Sequence, residues 1–326
     1  MTKSTVVIPN FNGIKFIEEC LDSLYMGTVK DMEVVVVDNG SVDGSMELVR
    51  DKFPKVRLIA NKENTGFCHA VNQGIKASTT PYVILLNNDT KVDLEFVHEL
   101  EKIMDTDTKK QVFSASAKLV SLYEKDKTDD AGDYYCALGW AFARGKGKDP
   151  DRYDRDCDIF ASCAGAAIYR RELLEADRVG LFDEAHFAYL EDIDIGYRAK
   201  IHGYINRFAA NSIVYHAGSA TSGSRYNAFK TKLAARNSIY LIYKNMPLLQ
   251  ILLNFPFLFV GYLTKLLFFI RKGLGREYLA GLAEGIKLSI GKEGRMYKQH
   301  LKASRRGGFV KIQFALWRNL FRLLGI

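Results

Sequence analysis

Apolar positions in the first ninety residues come in short, bounded runs separated by amphipathic stretches. Thr5-Val6-Val7-Ile8 stops at Pro9-Asn10, and Glu33-Val34-Val35-Val36-Val37 stops at Asp38-Asn39-Gly40-Ser41. Tyr82 to Leu86 stops at Asn87-Asn88-Asp89. Bounded runs of this length predict buried strands, and Val56 to Ala60 predicts another. Between them lie helical spacings. Gly13 to Tyr25 carries a stripe of Ile14, Ile17, Leu21 and Leu24, and Ser45 to Phe53 and Gly66 to Ala77 follow the same logic. Strands alternating with helices predict right-handed crossovers and a mostly parallel sheet. In such sheets ligands bind beyond the carboxyl ends of the strands, where the polar clusters fall.

The pattern loosens afterwards. Lys118 to Asp158, rich in Asp, Lys, Gly and Tyr, reads as loops over the site, and Ser162 to Tyr169 is small and apolar. Ala188 to Ile201 predicts a helix starting near Glu191. Ser212 to Tyr215 predicts a short strand ending at His216. From Met246 to Ile270 the chain is strongly apolar, interrupted by Pro247, Asn254, Pro256 and Lys265. Its length permits a membrane span, but two prolines and a lysine argue for a bent or interfacial segment. In Phe309 to Leu324, Lys311, Ala315, Arg318 and Arg322 share one helical face, and Val310, Phe314, Trp317, Leu320, Phe321 and Leu324 crowd the rest. Such a basic amphipathic helix suits a membrane interface; the alternative is packing on the protein's own core.

Charge sharpens this division. The chain of 326 residues carries net +8, yet Lys244 to Ile326 alone holds 15 Lys and Arg against 3 Glu, leaving the remainder net acidic. The organisation expected is a catalytic unit over 1–243 and a basic helical extension over 244–326 that meets an anionic surface. Five scattered cysteines without a C-x-x-C pair make structural zinc and a disulfide framework poor readings, and fit a reducing cytosol. The first residues lack signal-peptide architecture. The expected location is therefore cytoplasmic, peripheral on the inner face of the cell membrane.

The candidate chemistry sits in four clusters: Asp38 to Ser41, Asn87 to Asp89, Glu191-Asp192-Ile193-Asp194 and His216. A carboxylate at Asp38 can accept the imide N–H of uracil or thymine, whereas Ser41 and Asp43 equally suit a helix cap. Asp89 suits a hard divalent cation that also binds a substrate phosphate. Three acids in four residues repel one another on a solvated face, but are favoured at a helix start.

With these motifs the chain resembles a family 2 glycosyltransferase of the GT-A fold. The resemblance rests on Val7 to Gly13, Val36 to Ser45, Asn64-Thr65-Gly66-Phe67, Asn87-Asn88-Asp89, Glu191 to Asp194 and His216-Ala217-Gly218-Ser219, and covers roughly 5–240. It implies a Rossmann-like, mostly parallel central sheet flanked by helices. Within the family the chain resembles bacterial rhamnosyltransferases of cell-surface polysaccharide synthesis. The resemblance places Pro9, Asn10, Asn12, Asp38 and Asn88 at the nucleotide, and Asn64, Gly66 and Asn72 near ribose and phosphate. It makes Asp89 and His216 ligands of Mg2+ or Mn2+, although Asn87 stands where the family usually has an aspartate. Asp192 becomes the general base, supported by Glu191 and Asp194, the latter also placed to cap the helix or pair with Arg198; Arg225 and Arg236 are within reach of a diphosphate or, equally, of a surface salt bridge. The implied reaction is inverting transfer from dTDP-L-rhamnose, or next a UDP-sugar, to a glycan or lipid-linked acceptor. A sugar nucleotidyltransferase would want a glycine-rich basic loop after the first strand, which Pro9-Asn10-Phe11-Asn12 does not offer. A non-catalytic sugar-nucleotide-binding protein has no use for Asp38, Asp89 and Asp192 together. No nucleic-acid partner is expected, because aliphatic runs separate the tail's charges.

Overall fold

A computed structural model describes residues 2–218 and 226–324. The chain opens with β1 (Ser4–Asn10), α1 (Ile17–Met26), β2 (Glu33–Asp38), α2 (Ser45–Lys52), β3 (Arg57–Ala60), α3 (Phe67–Ala77) and β4 (Tyr82–Leu86). Next come β5 (Thr90–Val92), α4 (Phe96–Thr106), β6 (Val112–Ser121), β7 (Thr128–Asp130), β8 (Asp133–Tyr135), β9 (Ala141–Ala143), β10 (Cys157–Ile159) and β11 (Ala166–Arg170). The remainder is α5 (Glu191–Ile201), β12 (Ile205–His216), α6 (Ala228–Asn245), α7 (Leu248–Arg271), α8 (Gly275–Ile290), α9 (Lys292–Met296) and α10 (Arg306–Leu324).

The main sheet runs β3-β2-β1-β4-β11-β6-β12-β10. β1, β2, β3 and β4 pair in parallel, as expected from their alternation with helices. β11 enters antiparallel between β4 and β6, and β12 then pairs in parallel with β6. Successive side chains of a strand face opposite layers. Val6 and Ile8 pack with α1 and α4 on one face, and Val7 packs with α3 and α5 on the other. Because β1, β2 and β4 all point the same way, Asn10, Asp38 and the Asn87 to Asp89 turn emerge along one edge.

The loops expected over 118–158 are partly strands. β7 pairs antiparallel with β6, and β8 pairs with β9. β12 is longer than Ser212 to Tyr215, with a register shift between Ala209 and Ile213.

The C-terminal helices are not a loose tail. α7 buries Gln250, Asn254, Leu258 and Gly261, and α10 buries Phe309, Ile312 and Leu316 in a cluster shared with Phe160, Tyr197 and Phe208. Asn254 and Gln313 exchange paired amide hydrogen bonds between these helices. Gly261 has a specific reason to be glycine: a Cβ there would lie 2.2 Å from the Leu138 carbonyl oxygen. Pro256 sits inside α7, where it removes one helical hydrogen bond. The alternative of α10 packing on its own core is thus realised for one face. Val310, Phe314, Phe321 and Leu324 still point outward, together with Leu249, Leu252, Phe255, Phe259 and Leu263 of α7. An apolar surface of this extent marks an interaction site. Among the described residues α7 is the one helix long and apolar enough to cross a membrane.

Candidate active site

The strand ends are tied together by one buried amide. Asn10 at the end of β1 donates from Nδ2 to Asp38 Oδ2 and Ser45 Oγ, each at 2.8 Å. Its Oδ1 accepts from Asn88 Nδ2 at 2.7 Å. The ends of β1, β2 and β4 are therefore locked in register. Asp38 is buried, and its Oδ1 accepts the Ser41 N–H at 2.9 Å; each oxygen keeps a further lone pair for a ligand donor. Asn12 pins the same turn by accepting the Val42 N–H through Oδ1, and Pro9 lies in register with Val37. Asp43 accepts N–H bonds from Ile14 and from Ser45, the first residue of α2.

The second wall comes from 61–66. Asn64 Oδ1 accepts from Asn39 Nδ2 and the Gly66 N–H. Gly66 has φ +90°, and a Cβ there would lie 2.6 Å from the Phe187 ring, so close approach requires glycine. Asn72, expected near ribose and phosphate, has its amide fully engaged elsewhere. It holds the Phe182 N–H and C=O and the Glu184 carboxylate.

Asp89 and His216 do come together. His216 Nε2 lies 3.3 Å from Asp89 Oδ1, and its Nδ1 lies 2.7 Å from Asp129 Oδ2. Burial opposes charge on this ring, but the hydrogen bonds to Asp129 and Asp89 outweigh it and push its pKa up to about 9. A carboxylate oxygen and an imidazole nitrogen side by side, with a carboxylate orienting the ring's far nitrogen, are a donor set that fits Mn2+ or Mg2+. Asn87 donates its backbone N–H to the Gly165 carbonyl.

Glu191 and Asp192 open α5, directly after a strained approach. Phe187, Tyr189 and Leu190 have φ of 63°, 70° and 67°, a region non-glycine residues seldom occupy. Asn237 Nδ2 holds the His186, Ala188 and Tyr189 carbonyls, and the Arg236 guanidinium holds those of Ala185 and His186. Arg236, expected to reach a diphosphate, is thus spent on the loop that positions Asp192. Asp194, expected as support, lies in a buried ionic network. It meets Arg198 at 3.0 Å, Lys244 at 2.8 Å and Asn245 at 2.7 Å. Arg225 and Ser219 lie outside the described residues.

The sequence reading missed the acids behind Asp192. β7 and β8 deliver Asp130 and Asp133, and Cys163 lies close enough that the three ligand atoms fall within 4.8 Å of one another. Burial raises all three: Asp130 to about 7, Asp133 and Cys163 well above their ordinary values. Asp133 lies against Asp192, and burial raises the pKa of both carboxyls. Glu191 is pushed up to about 8, by burial first and then by the Asp192 charge. The only sequence signal of this cluster is the acidic run Asp129-Asp130-Ala131-Gly132-Asp133, which a loop reading absorbs.

A chain of contacts therefore links Asp38 through Asn10 to Asn88, beside Asp89, and Asp89 through His216 to Asp129. Asp130 and Asp133 carry it on to Asp192. Residues 5–177 match the family model for glycosyl transferase family 2. The chain belongs to glycosyl transferase family 2.

Among curated family members, an N-acetylglucosaminyl-diphospho-decaprenol L-rhamnosyltransferase of Mycobacterium tuberculosis is 24% identical over 241 residues, covering 67% of this chain and 77% of that protein. Glycosyltransferase GlyA of Streptococcus pneumoniae is 32% identical over 102 residues, which cover 31% of this chain but only 15% of that longer protein. Among solved structures, GalNAc-T7 with UDP, GalNAc and Mn2+ aligns with a TM-score of 0.58 at 16% identity, covering 74% of this chain and 48% of that one. The mannosyltransferase PcManGT of Pyrobaculum calidifontis, with GDP-Man and Mn2+, aligns with a TM-score of 0.53 at 19% identity over 98% of this chain and 87% of that one. These likenesses establish the GT-A fold, with its mixed, mostly parallel sheet.

Proposed function

We propose that this chain is an inverting, metal-dependent glycosyltransferase that moves a sugar from a nucleoside diphosphate carrier to a glycan or lipid-linked acceptor in cell-surface polysaccharide synthesis. The donor chosen is dTDP-L-rhamnose, with a UDP-sugar as the second choice. The observation that carries the reading is the contact chain joining Asp38, Asp89 and Asp192 across three separate motifs. Asp38 offers the acceptor atom for a thymine or uracil imide, with Pro9, Asn10, Asn12, Asn64, Gly66 and Asn88 shaping the turn around the nucleotide.

Asp89 and His216 would hold Mn2+ or Mg2+, which when bound supplies positive charge to the leaving diphosphate. Asp192 takes the proton of the acceptor hydroxyl as its oxygen bonds to the anomeric carbon. The bond from that carbon to the diphosphate oxygen breaks, and the configuration inverts. A raised pKa suits Asp192 to this task, because a general base works best when its pKa approaches the working pH. The exposed apolar faces of α7 and α10 and the basic tail support peripheral attachment to the cytoplasmic leaflet.

The test is a panel of dTDP- and UDP-sugars, each with Mn2+ or Mg2+, scored for release of the nucleoside diphosphate. Release from dTDP-rhamnose above the UDP-sugars, abolished by EDTA, is expected. Indifference to every sugar nucleotide contradicts the reading. Flotation with anionic liposomes tests attachment, and a chain that stays in the soluble fraction contradicts it.

A further inference from the structure

Beside Asp192 lies a cavity of about 560 Å³, within the size range of small-ligand sites. One wall is the catalytic unit: Asp133, Glu191 and Asp192. The opposite wall is the C-terminal extension: Lys265, Phe268 and Phe269 of α7 and Tyr278 of α8. Three residues of this lining each carry a buried polar atom with no hydrogen-bond partner among the described residues: Glu191 Oε2, Thr231 Oγ1 and Tyr278 Oη. Their residues are only 9%, 4% and 2% exposed. Buried polar groups are normally satisfied, and leaving one unmade costs about 1–3 kcal/mol.

Lys265 adds a charge. It is the one lysine of α7, with its ammonium 5.5 Å from the centre of the Trp140 ring, and no carboxylate pairs with it among the described residues. A cation at a cavity lined by aromatic rings is costly to leave unpaired, and a ligand anion repays that cost. The cavity is thus polar and acidic at the Asp192 end and apolar with one lysine at the α7 end. A hydroxylated, uncharged saccharide suits the first end. A phosphate followed by a hydrocarbon suits the second, because α7 continues from the cavity into the exposed apolar face.

We propose that α7 and α8 build the acceptor site, and that Lys265 contacts the phosphate joining the acceptor saccharide to an apolar carrier. This rests on the transferase reading, which places the acceptor at Asp192. It gives the extension a role in substrate recognition besides attachment, and it assigns the substrate class as saccharides on a lipid phosphate.

The experiment is calorimetric titration of the full chain in nonionic detergent with EDTA, using farnesyl diphosphate and farnesol as probes. Wild type should bind the diphosphate about tenfold or more tightly than the alcohol. Lys265→Met should erase that preference, Lys265→Arg should keep most of it, and Lys287→Met, exposed on α8 outside the cavity lining, should keep all of it. A diazirine-bearing farnesyl diphosphate on the wild-type chain should label α7 or α8, a readout that needs no variant to fold. Absence of a diphosphate preference in wild type, its survival in Lys265→Met, or labelling confined to other elements overturns the proposal. So does a Lys265→Met change confined to dTDP or UDP affinity, which would place the lysine at the donor. Failure of the sugar-nucleotide panel would instead remove the transferase reading while leaving the lipid-phosphate binding result in place.

Discussion

Replacing Lys244 with methionine should reveal how firmly the start of α5 is held. Lys244 is 1% exposed and lies 2.6 Å from Asp183 and 2.8 Å from Asp194. Removing the cation leaves two buried carboxylates facing each other, and breaking a buried ion pair costs about 3–5 kcal/mol. Both acids keep other partners. Asp194 retains Arg198 and Asn245, and Asp183 retains the Tyr240 hydroxyl and the Ala185 N–H. The lower end of that range, about 3 kcal/mol, is therefore expected. Against a total stability of about 5–15 kcal/mol this is a large fraction. Urea unfolding in nonionic detergent, followed by far-UV circular dichroism, measures it. The control is Lys232→Met, which removes an exposed pair with Glu284 of similar 2.7 Å length and should cost at most about 1 kcal/mol. Adding Asp183→Asn to Lys244→Met should restore part of the loss by neutralising one stranded charge. If Lys244→Met costs no more than Lys232→Met, the network does not fasten α5.

Other outcomes follow from single features. His186 is fully buried, its ring nitrogens have no hydrogen-bond partner among the described residues, and burial lowers its pKa to about 4. Between about pH 4 and 6.5 the unfolded chain then binds a proton that the folded chain refuses. Stability should fall with pH across that window, by about 3 kcal/mol at its lower end, and His186→Phe should flatten the dependence in denaturant titrations. Gly261→Val should drive α7 away from the Leu138 carbonyl, costing about 1–3 kcal/mol and lowering the thermal midpoint, whereas Leu263→Val on the exposed face should not. The acid limb of kcat/KM should lie above the ordinary aspartate range, because burial raises the Asp192 pKa and only its ionised form accepts the proton. A limb at or below the ordinary value removes Asp192 from that role.

The parallel half of the sheet was legible because each of its strands is a short apolar run closed by a polar cluster. The placement of Asp38, Asn88 and Asp89 at one sheet edge was legible for the same reason: a strand end fixes where its last residues lie. β6, β11 and the full length of β12 were not, since their pairing joins segments some fifty or more residues apart and leaves little local pattern. Asp129 and Asp133 were hidden in a segment whose composition reads as loop; only the pairing of β7 with β6 brings it to His216. Asn72 and Arg236 illustrate the converse limit. Their chemistry suits a ribose or a diphosphate, but an amide and a guanidinium serve equally well to clamp carbonyls, and the fold uses them for that.

The most direct test compares wild type with Asp192→Asn on the donor that the nucleotide panel selects. Wild type should release nucleoside diphosphate in Mn2+, and the variant should lose about 10²–10⁴-fold in rate while binding the nucleotide with unchanged affinity. Turnover by Asp192→Asn at the wild-type rate would contradict a mechanism in which the carboxylate opening α5 takes the acceptor's proton.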